Sequence, residues 1–277
     1  MENTSPLKKF TRQPKVFVSL PSQGKYYNDN VIANNTFSEL PVFSMTASDE
    51  ILYKTPDAMV TGNATANNIK SCVPSVLDPW SIVTIDIDSL LISIRLATYG
   101  DTMTVDHRCS CGEQNSYEIN LNKYIEYYHN CTFHDTLKID DFTFKIKPLT
   151  YRKWTEIQKK SVTLQRAINT QVQQIEDEEQ KMAAIDNITN QINELAINTI
   201  FDYVVSVEVG GEVETDRMEI IDFMSKQDLS YFHKLKALVE KNIGIWAMPG
   251  EDVVCANCQK TNTIRVGMDT SDFFGIG

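Results

Sequence analysis

The chain is short of the features that mark most enzymes, secreted domains and membrane proteins. Six cysteines in 277 residues are too few for a disulfide framework, and no secretory signal is read at the start. Apolar residues never run on for the roughly 18 positions that a membrane-spanning helix needs. Basic residues are outnumbered, 26 Lys and Arg against 37 Asp and Glu, and the net charge of −11 argues against binding a phosphate backbone. Gly210-Gly211 lacks the spacing of a phosphate-cradling loop, and there is no Gly-x-Ser-x-Gly elbow and no His-Glu-x-x-His pair. Between about 151 and 205 there is neither glycine nor proline, which favours helix over loop there.

The cysteines that are present carry the most information. His107-Arg108-Cys109-Ser110-Cys111-Gly112 and Cys255-Ala256-Asn257-Cys258 each sit between β-like runs, Met103-Thr104-Val105 before the first and Val253-Val254 and Thr263-Ile264-Arg265-Val266 around the second. Two hairpin knuckles of this kind offer four thiolates to one tetrahedral Zn²⁺, as in a zinc ribbon. Cys109, Cys111, Cys255 and Cys258 are therefore the candidate metal ligands. A closed four-sulfur site leaves no open coordination position, so it holds structure and does no chemistry. The first pair has one intervening residue where two are usual, which keeps His107 open as a replacement ligand. Against the metal stands the plainer reading, reduced surface thiols. A redox role for Cys255 and Cys258 is weaker, because a β-like run follows them and not the helix that lowers a thioredoxin-type thiol pKa.

The other candidates are poorer. His129, Cys131 and His134 make a loose trio that a polar loop explains as well. Asp86 and Asp88 suit the N-terminus of a helix better than a catalytic pair. Cys72 is expected to be a small buried residue.

Along the chain, residues 1–14 form a polar lead whose basic cluster runs from Lys8-Lys9 through Arg12 to Lys15. A strand over 15–20 ends at the Pro21-Ser22-Gln23-Gly24 turn. Leu40–Met45 reads as a second strand, and Thr46-Ala47-Ser48-Asp49-Glu50 as a box that opens a short helix ending before Pro56. Helices are expected at about 64–73 and 86–98, the latter stopped by Gly100. A hairpin over 136–147 turns at Asp140-Asp141. Apolar residues then recur at helical spacing from Trp154 to Ile175 and again from Ile185 to Ile200. The polar run Glu176–Lys181 lies between them, a pattern of a helical hairpin bent near 177–182. Val204–Val209 is strand-like, and Ser225-Lys226-Gln227-Asp228 is a second box before an amphipathic helix closed by Gly244. The expected fold class is α+β: small mixed β elements, a zinc-ribbon-like site joining the N- and C-terminal parts, and a helical hairpin. Four segments follow: a flexible lead (1–14), an α+β domain with the first knuckle (15–148), the helical hairpin (149–206) and a C-terminal part with the second knuckle (207–277).

Several landmarks occur in a telling order: Leu20-Pro21-Ser22-Gln23-Gly24-Lys25-Tyr26-Tyr27, Met45-Thr46-Ala47-Ser48-Asp49-Glu50 with Thr55-Pro56, and Ile69-Lys70-Ser71-Cys72-Val73. Ile85-Asp86-Ile87-Asp88, running on to Leu91, Arg95 and Tyr99-Gly100, and the first knuckle follow. In that order they resemble the baseplate hub assembly proteins of T-even-type contractile-tailed bacteriophages. The resemblance covers residues 16–120 and is extended by Cys255-x-x-Cys258 and Asp272-Phe273-Phe274. It implies a late phage protein, made in the host cytoplasm, that helps to build the tail hub and contacts other baseplate proteins. Such a protein is either retained in the virion or acts as an assembly chaperone, and it is not an enzyme. No nucleic-acid or membrane partner is expected. The alternatives are a nucleic-acid-processing zinc-ribbon factor, for which only Arg108, Lys260 and Arg265 supply positive charge near the knuckles, and a thiol redox protein. Two elements are expected to dock partners: the strand and turn over 15–27, and the helical segment over 151–205, against which stands equally the plainer reading of a helical pair packed on its own domain.

Overall fold

In the computed structural model the described residues are 12–33, 39–53, 61–267 and 273–274. Lys8-Lys9, the Pro56 helix stop and Asp272 lie outside them. The chain forms two compact units, one from residues 1–131 together with 248–277 and one from 132–247. With eight helices and several small antiparallel sheets among the described residues, the fold is α+β.

The first unit is built on a buried helix. β1 (Pro14–Val18) pairs antiparallel with β2 (Leu40–Phe43), and the alternation places Val18, Leu40 and Val42 inside. α1 (Ala47–Tyr53) opens on the expected box. The Thr46 amide donates to Asp49 Oδ2 at 2.7 Å and the Asp49 amide donates to Thr46 Oγ1 at 3.3 Å. α2 (Asn63–Cys72) and α3 (Thr84–Tyr99) follow. α3 is apolar on nearly every side, with Leu90, Ile92 and Ile94 wholly buried, as befits a helix packed among β1, β2, α2 and α4 (Asn122–Asn130). It stops at Gly100, whose φ of 93° few other residues tolerate.

Asp86, in the first turn of α3, is fully buried and meets no cation among the described residues. It accepts from the Ser22 amide (2.8 Å), the Ser22 hydroxyl (2.5 Å) and the Tyr27 hydroxyl (2.5 Å), and Tyr27 Oη accepts in turn from the Val83 amide (3.0 Å). The Pro21–Gly24 turn is thus clamped on the start of α3. Asp88 accepts from Tyr128 of α4 at 3.0 Å. Arg12, counted with the flexible lead from its sequence, is fastened to the carbonyls of Ser44 (2.7 Å) and Ser71 (3.1 Å). At the other end of the chain, Arg95 and Tyr99 of α3 donate to the carbonyls of Phe273 and Phe274, both buried. Phe274 also packs on Tyr53, with ring centroids 4.5 Å apart. Two hairpins complete the unit, β3 (Thr102–Arg108) with β4 (Gln114–Asn120) and β9 (Glu251–Val254) with β10 (Thr261–Ile264).

The second unit centres on the sheet β5-β6-β7-β8 (Thr136–Ile139, Phe142–Ile146, Val204–Val209, Glu212–Glu214), antiparallel throughout. The turn between β5 and β6 uses Asp140 at φ 52°. α5 (Tyr151–Arg166), continued by irregular turns to Gln174, and α6 (Glu178–Tyr203) make a helical hairpin. Its bend comes slightly earlier than the polar run suggested. Asp177 caps α6 by accepting from the Gln180 amide at 2.8 Å, so Glu178 and Glu179 form the first turn, where the helix dipole favours acid. α7 (Arg217–Ser225) carries too short an apolar stripe to announce itself. It also changes the reading of the second box: Ser225 ends α7, and Asp228 caps α8 (Leu229–Gly244) by accepting from the Ser230 amide at 2.8 Å. The core gathers Phe144, Ile146, Phe201, Tyr203, Leu235 and Val239, among others.

Asp86 supplies a test of the first unit. Burial raises its pKa from 3.8 to about 6, against the pull of the bonds from Ser22 and Tyr27. Since the folded value lies above the unfolded one, the folded state holds the proton more tightly. This contribution to stability is present in full below pH 3.8 and is lost as pH rises through about 6. The loss should be on the order of 3 kcal/mol. Denaturant titrations at several pH values should show this fall in the native protein relative to Asp86→Asn. Asp86→Ala, which strands the Ser22 and Tyr27 donors, should cost on the order of 3 kcal/mol even in acid.

Candidate metal centre

The two cysteine pairs lie at the ends of two hairpins of the first unit. In the first, the Cys109 amide donates to the Glu113 carbonyl and the Gly112 amide to the Cys109 carbonyl, both at 2.9 Å, with Gly112 at φ 93°. This tight turn compensates for the missing residue in Cys109-x-Cys111. In the second, the Cys255 amide donates to Lys260 and the Gln259 amide to Cys255, both at 3.0 Å, and Gln259 takes the left-handed conformation at φ 59°.

The knuckles face each other. Cys109 Sγ lies 3.7 Å from Cys258 Sγ, Cys111 Sγ lies 3.7 Å from Cys255 Sγ, and all four sulfurs fall within 4.8 Å of one another. Tetrahedral zinc with Zn–S bonds of about 2.3 Å sets its sulfurs about 3.8 Å apart, so the donor set fits such an ion in both chemistry and spacing. All six cysteines are free, and at 3.7 Å these pairs are not disulfides. Cys109 and Cys255 are buried, whereas Cys111 and Cys258 are exposed.

Each hairpin also donates to the other's sulfur. Asn115 Nδ2 of β4 donates to Cys255 Sγ at 3.5 Å while its Oδ1 accepts from the Ala256 amide at 3.0 Å. Asn262 Nδ2 of β10 contacts Cys109 Sγ at 3.6 Å. Lys260 Nζ meets Ser110 Oγ at 3.0 Å, and Tyr117 donates to the Val254 carbonyl at 3.1 Å. The amide of Cys111 above all, with help from Asn262, draws the Cys109 thiol down to about 6 against its burial. The Cys258 amide chiefly, then those of Asn257 and Asn115, lowers Cys255. At Cys258 the Lys260 amide pulls the same way, but Cys111, burial and the other two sulfurs prevail and push it up to about 11. The surroundings thus favour the thiolate form at Cys109 and Cys255 and oppose it at Cys258, where its neighbours' negative charge is one that a cation would relieve.

A family model described as T4 bacteriophage base plate protein matches residues 18–275, a span that includes both knuckles. The chain belongs to that family. No curated protein and no solved structure matches it.

The other sequence candidates of this base plate protein fall elsewhere. His107 pairs with Asn115 in the β3–β4 ladder and is not among the clustered donors. Among the described residues His129, Cys131 and His134 form no metal-sized group. Cys72 is buried, donates to Asn68 at 3.2 Å, and is pushed up to about 12 by burial, far from a nucleophile. Asp86 and Asp88 serve the fold, as described above. Two clefts of about 250 and 290 Å³ in the second unit bring no nucleophile against a base, and Asp202 in the first is held by Lys153 (3.0 Å) and Arg217 (2.5 Å).

Sequence reasoning overlooked Asn115 and Asn262. The signal was present, because each stands four residues after the second cysteine of its pair, Cys111 or Cys258. Replacing Asn115 with Ala should weaken metal binding by about 10- to 100-fold, as loss of such outer partners commonly does. Competition against a chromophoric chelator reads this directly, and Asn262→Ala should behave alike.

Proposed function

We propose that this chain is a non-enzymatic component of the phage tail baseplate that acts in assembly of the hub, with a structural Zn²⁺ held by Cys109, Cys111, Cys255 and Cys258. The observation that carries the reading is the base plate family match over 18–275, which contains a four-thiol cluster of tetrahedral spacing. Zinc is favoured because it takes all-sulfur tetrahedral sites in reducing surroundings. Bound there, it would neutralise the thiolates and staple the hairpins. Asn115 and Asn262 would hold the sulfurs in place. With four protein donors, no position is left for substrate or water.

The partners proposed are other baseplate and hub proteins, met in the host cytoplasm during assembly, with final residence in the virion tail. One contact element is β1, which among the described residues pairs with β2 alone and leaves Phe17 61% exposed.

Two other functions account for less. A nucleic-acid zinc ribbon needs a basic surface, yet the two hairpins carry Asp106, Glu113, Glu118, Glu251 and Asp252 against Arg108, Lys260 and Arg265. A thiol redox enzyme needs a pair poised at a helix N-terminus, whereas Cys255 and Cys258 sit in the β9–β10 turn. No helix among the described residues is long and apolar enough to cross a membrane.

Metal analysis of protein purified without chelator should find one zinc per chain, and Cys258→Ser should release it and lower the melting temperature. Absence of zinc rejects the metal. Phage supplied only with Cys258→Ser protein should accumulate tails arrested before a complete hub, whereas normal yields of infectious particles would reject the assembly role. Retention on DNA cellulose at physiological salt would instead favour the nucleic-acid reading.

A further inference from the structure

Among the described residues the α5–α6 hairpin forms an arm that buries Leu164 and Val172 along its first helix and the turns continuing it, while its second helix is left open beyond the base. Its base joins the core through Ile157, Ile200, Phe201 and Tyr203. Beyond that base, from Glu178 to Thr199, α6 has no fully buried residue. Ile185, Ile188, Ile192 and Leu195 stay half-buried at the seam, and Met182 is 62% exposed. Two helices side by side always leave such a seam open along its flank, and helices of this length depend on packing for their stability.

Charge indicates what closes it. Residues 151–174 carry five basic residues and one acidic, Glu156, whereas α6 carries five acidic residues and one basic, Lys181. Among the described residues the pair Lys153–Asp202 joins the two helices at the base, whereas Lys159, Lys160, Arg166, Asp186 and Glu194 enter no ion pair, so the opposite charges farther out are not spent on each other. Counted outward from the bend at 175–177 at about 1.5 Å per residue, Lys160 and Glu194 lie at roughly equal heights, as do Arg166 and Asp186.

We infer that the arm pairs with the arm of a second copy of this chain, about a two-fold axis parallel to the helices, to form a four-helix bundle. That symmetry sets α5 of each copy against α6 of the other, so Lys160 and Arg166 each meet an acidic residue at their own height and both seams close together. A partner with an acidic or a basic face alone would satisfy one helix and repel the other. The pairing depends on neither the metal nor the baseplate role, and purified protein is enough to test it.

Sedimentation of the full chain across a range of concentrations should show a monomer–dimer equilibrium that weakens about tenfold or more between low and high salt. Lys160→Glu with Arg166→Glu should raise the dimer dissociation constant at least about tenfold, and Asp186→Lys with Glu194→Lys should do the same. Of these four side chains all are exposed, and circular dichroism should show both variants folded. Mixing the two variants should restore dimer, since each then meets its opposite. A native protein that stays monomeric at all concentrations overturns the inference and leaves the seam to a different baseplate protein. Dimers that survive both charge reversals, or a mixture that stays monomeric, overturn it as well.

Discussion

Sulfurs that repel when ionised are brought together here from segments 144 or more residues apart in the chain, and the closure of the first unit depends on that meeting. Bringing two points so distant into contact costs roughly 4–5 kcal/mol of chain entropy. A structural zinc, were it bound there as proposed, would return on the order of 10–16 kcal/mol. The hydrogen bonds of Asn115, Asn262 and Tyr117 across the two hairpins are individually worth about 1 kcal/mol. They are better understood as setting the angle at which the sulfurs meet than as supplying the energy of closure.

The same unit is closed at a second place by an entirely different means. α3 holds the Pro21–Gly24 turn at its N-terminal end through Asp86, and Phe273 and Phe274 at the far end through Arg95 and Tyr99. A buried carboxylate with no counter-cation is costly, and its raised pKa expresses that cost. Three donors aimed at it make the arrangement tolerable and leave only one way for the turn to dock. The acidic group thus contributes specificity more than stability, much as a single buried polar residue fixes register elsewhere.

These differences explain what could be read from the sequence. The α+β class and the convergence of the four cysteines were legible because a knuckle has a spacing signature and a helix has a period. So was the Thr46–Asp49 box, since a cap is local. Asp86 was not, because the residues that explain it lie about sixty positions away in the chain, and its position at a helix start offered a sufficient local reason for an acid. Asn115 and Asn262 were missed because asparagine in a hairpin has many ordinary roles. Ser225 misled because serine before a helix suits a cap equally well when another residue, Asp228, takes that place.

The arm follows the opposite logic from the metal-sized cluster. Where four thiols converge, all four donors come from one chain. Along α6 beyond its base no described residue finishes the packing, and Asp186 and Glu194 remain unmatched among the described residues. A helix whose apolar stripe was meant only for its own unit would be expected to bury Ile188 and Ile192 as fully as Ile200, on the same helix nearer the core, is buried. The gradient of burial along α6, from complete at the base to partial beyond it, separates the part that folds the unit from the part that is left for association. A protein that associates through exposed helix has reason to keep them separate. Contacts made by exposed helix can form and exchange without disturbing a core, whereas a core residue recruited for association would tie every binding event to partial unfolding.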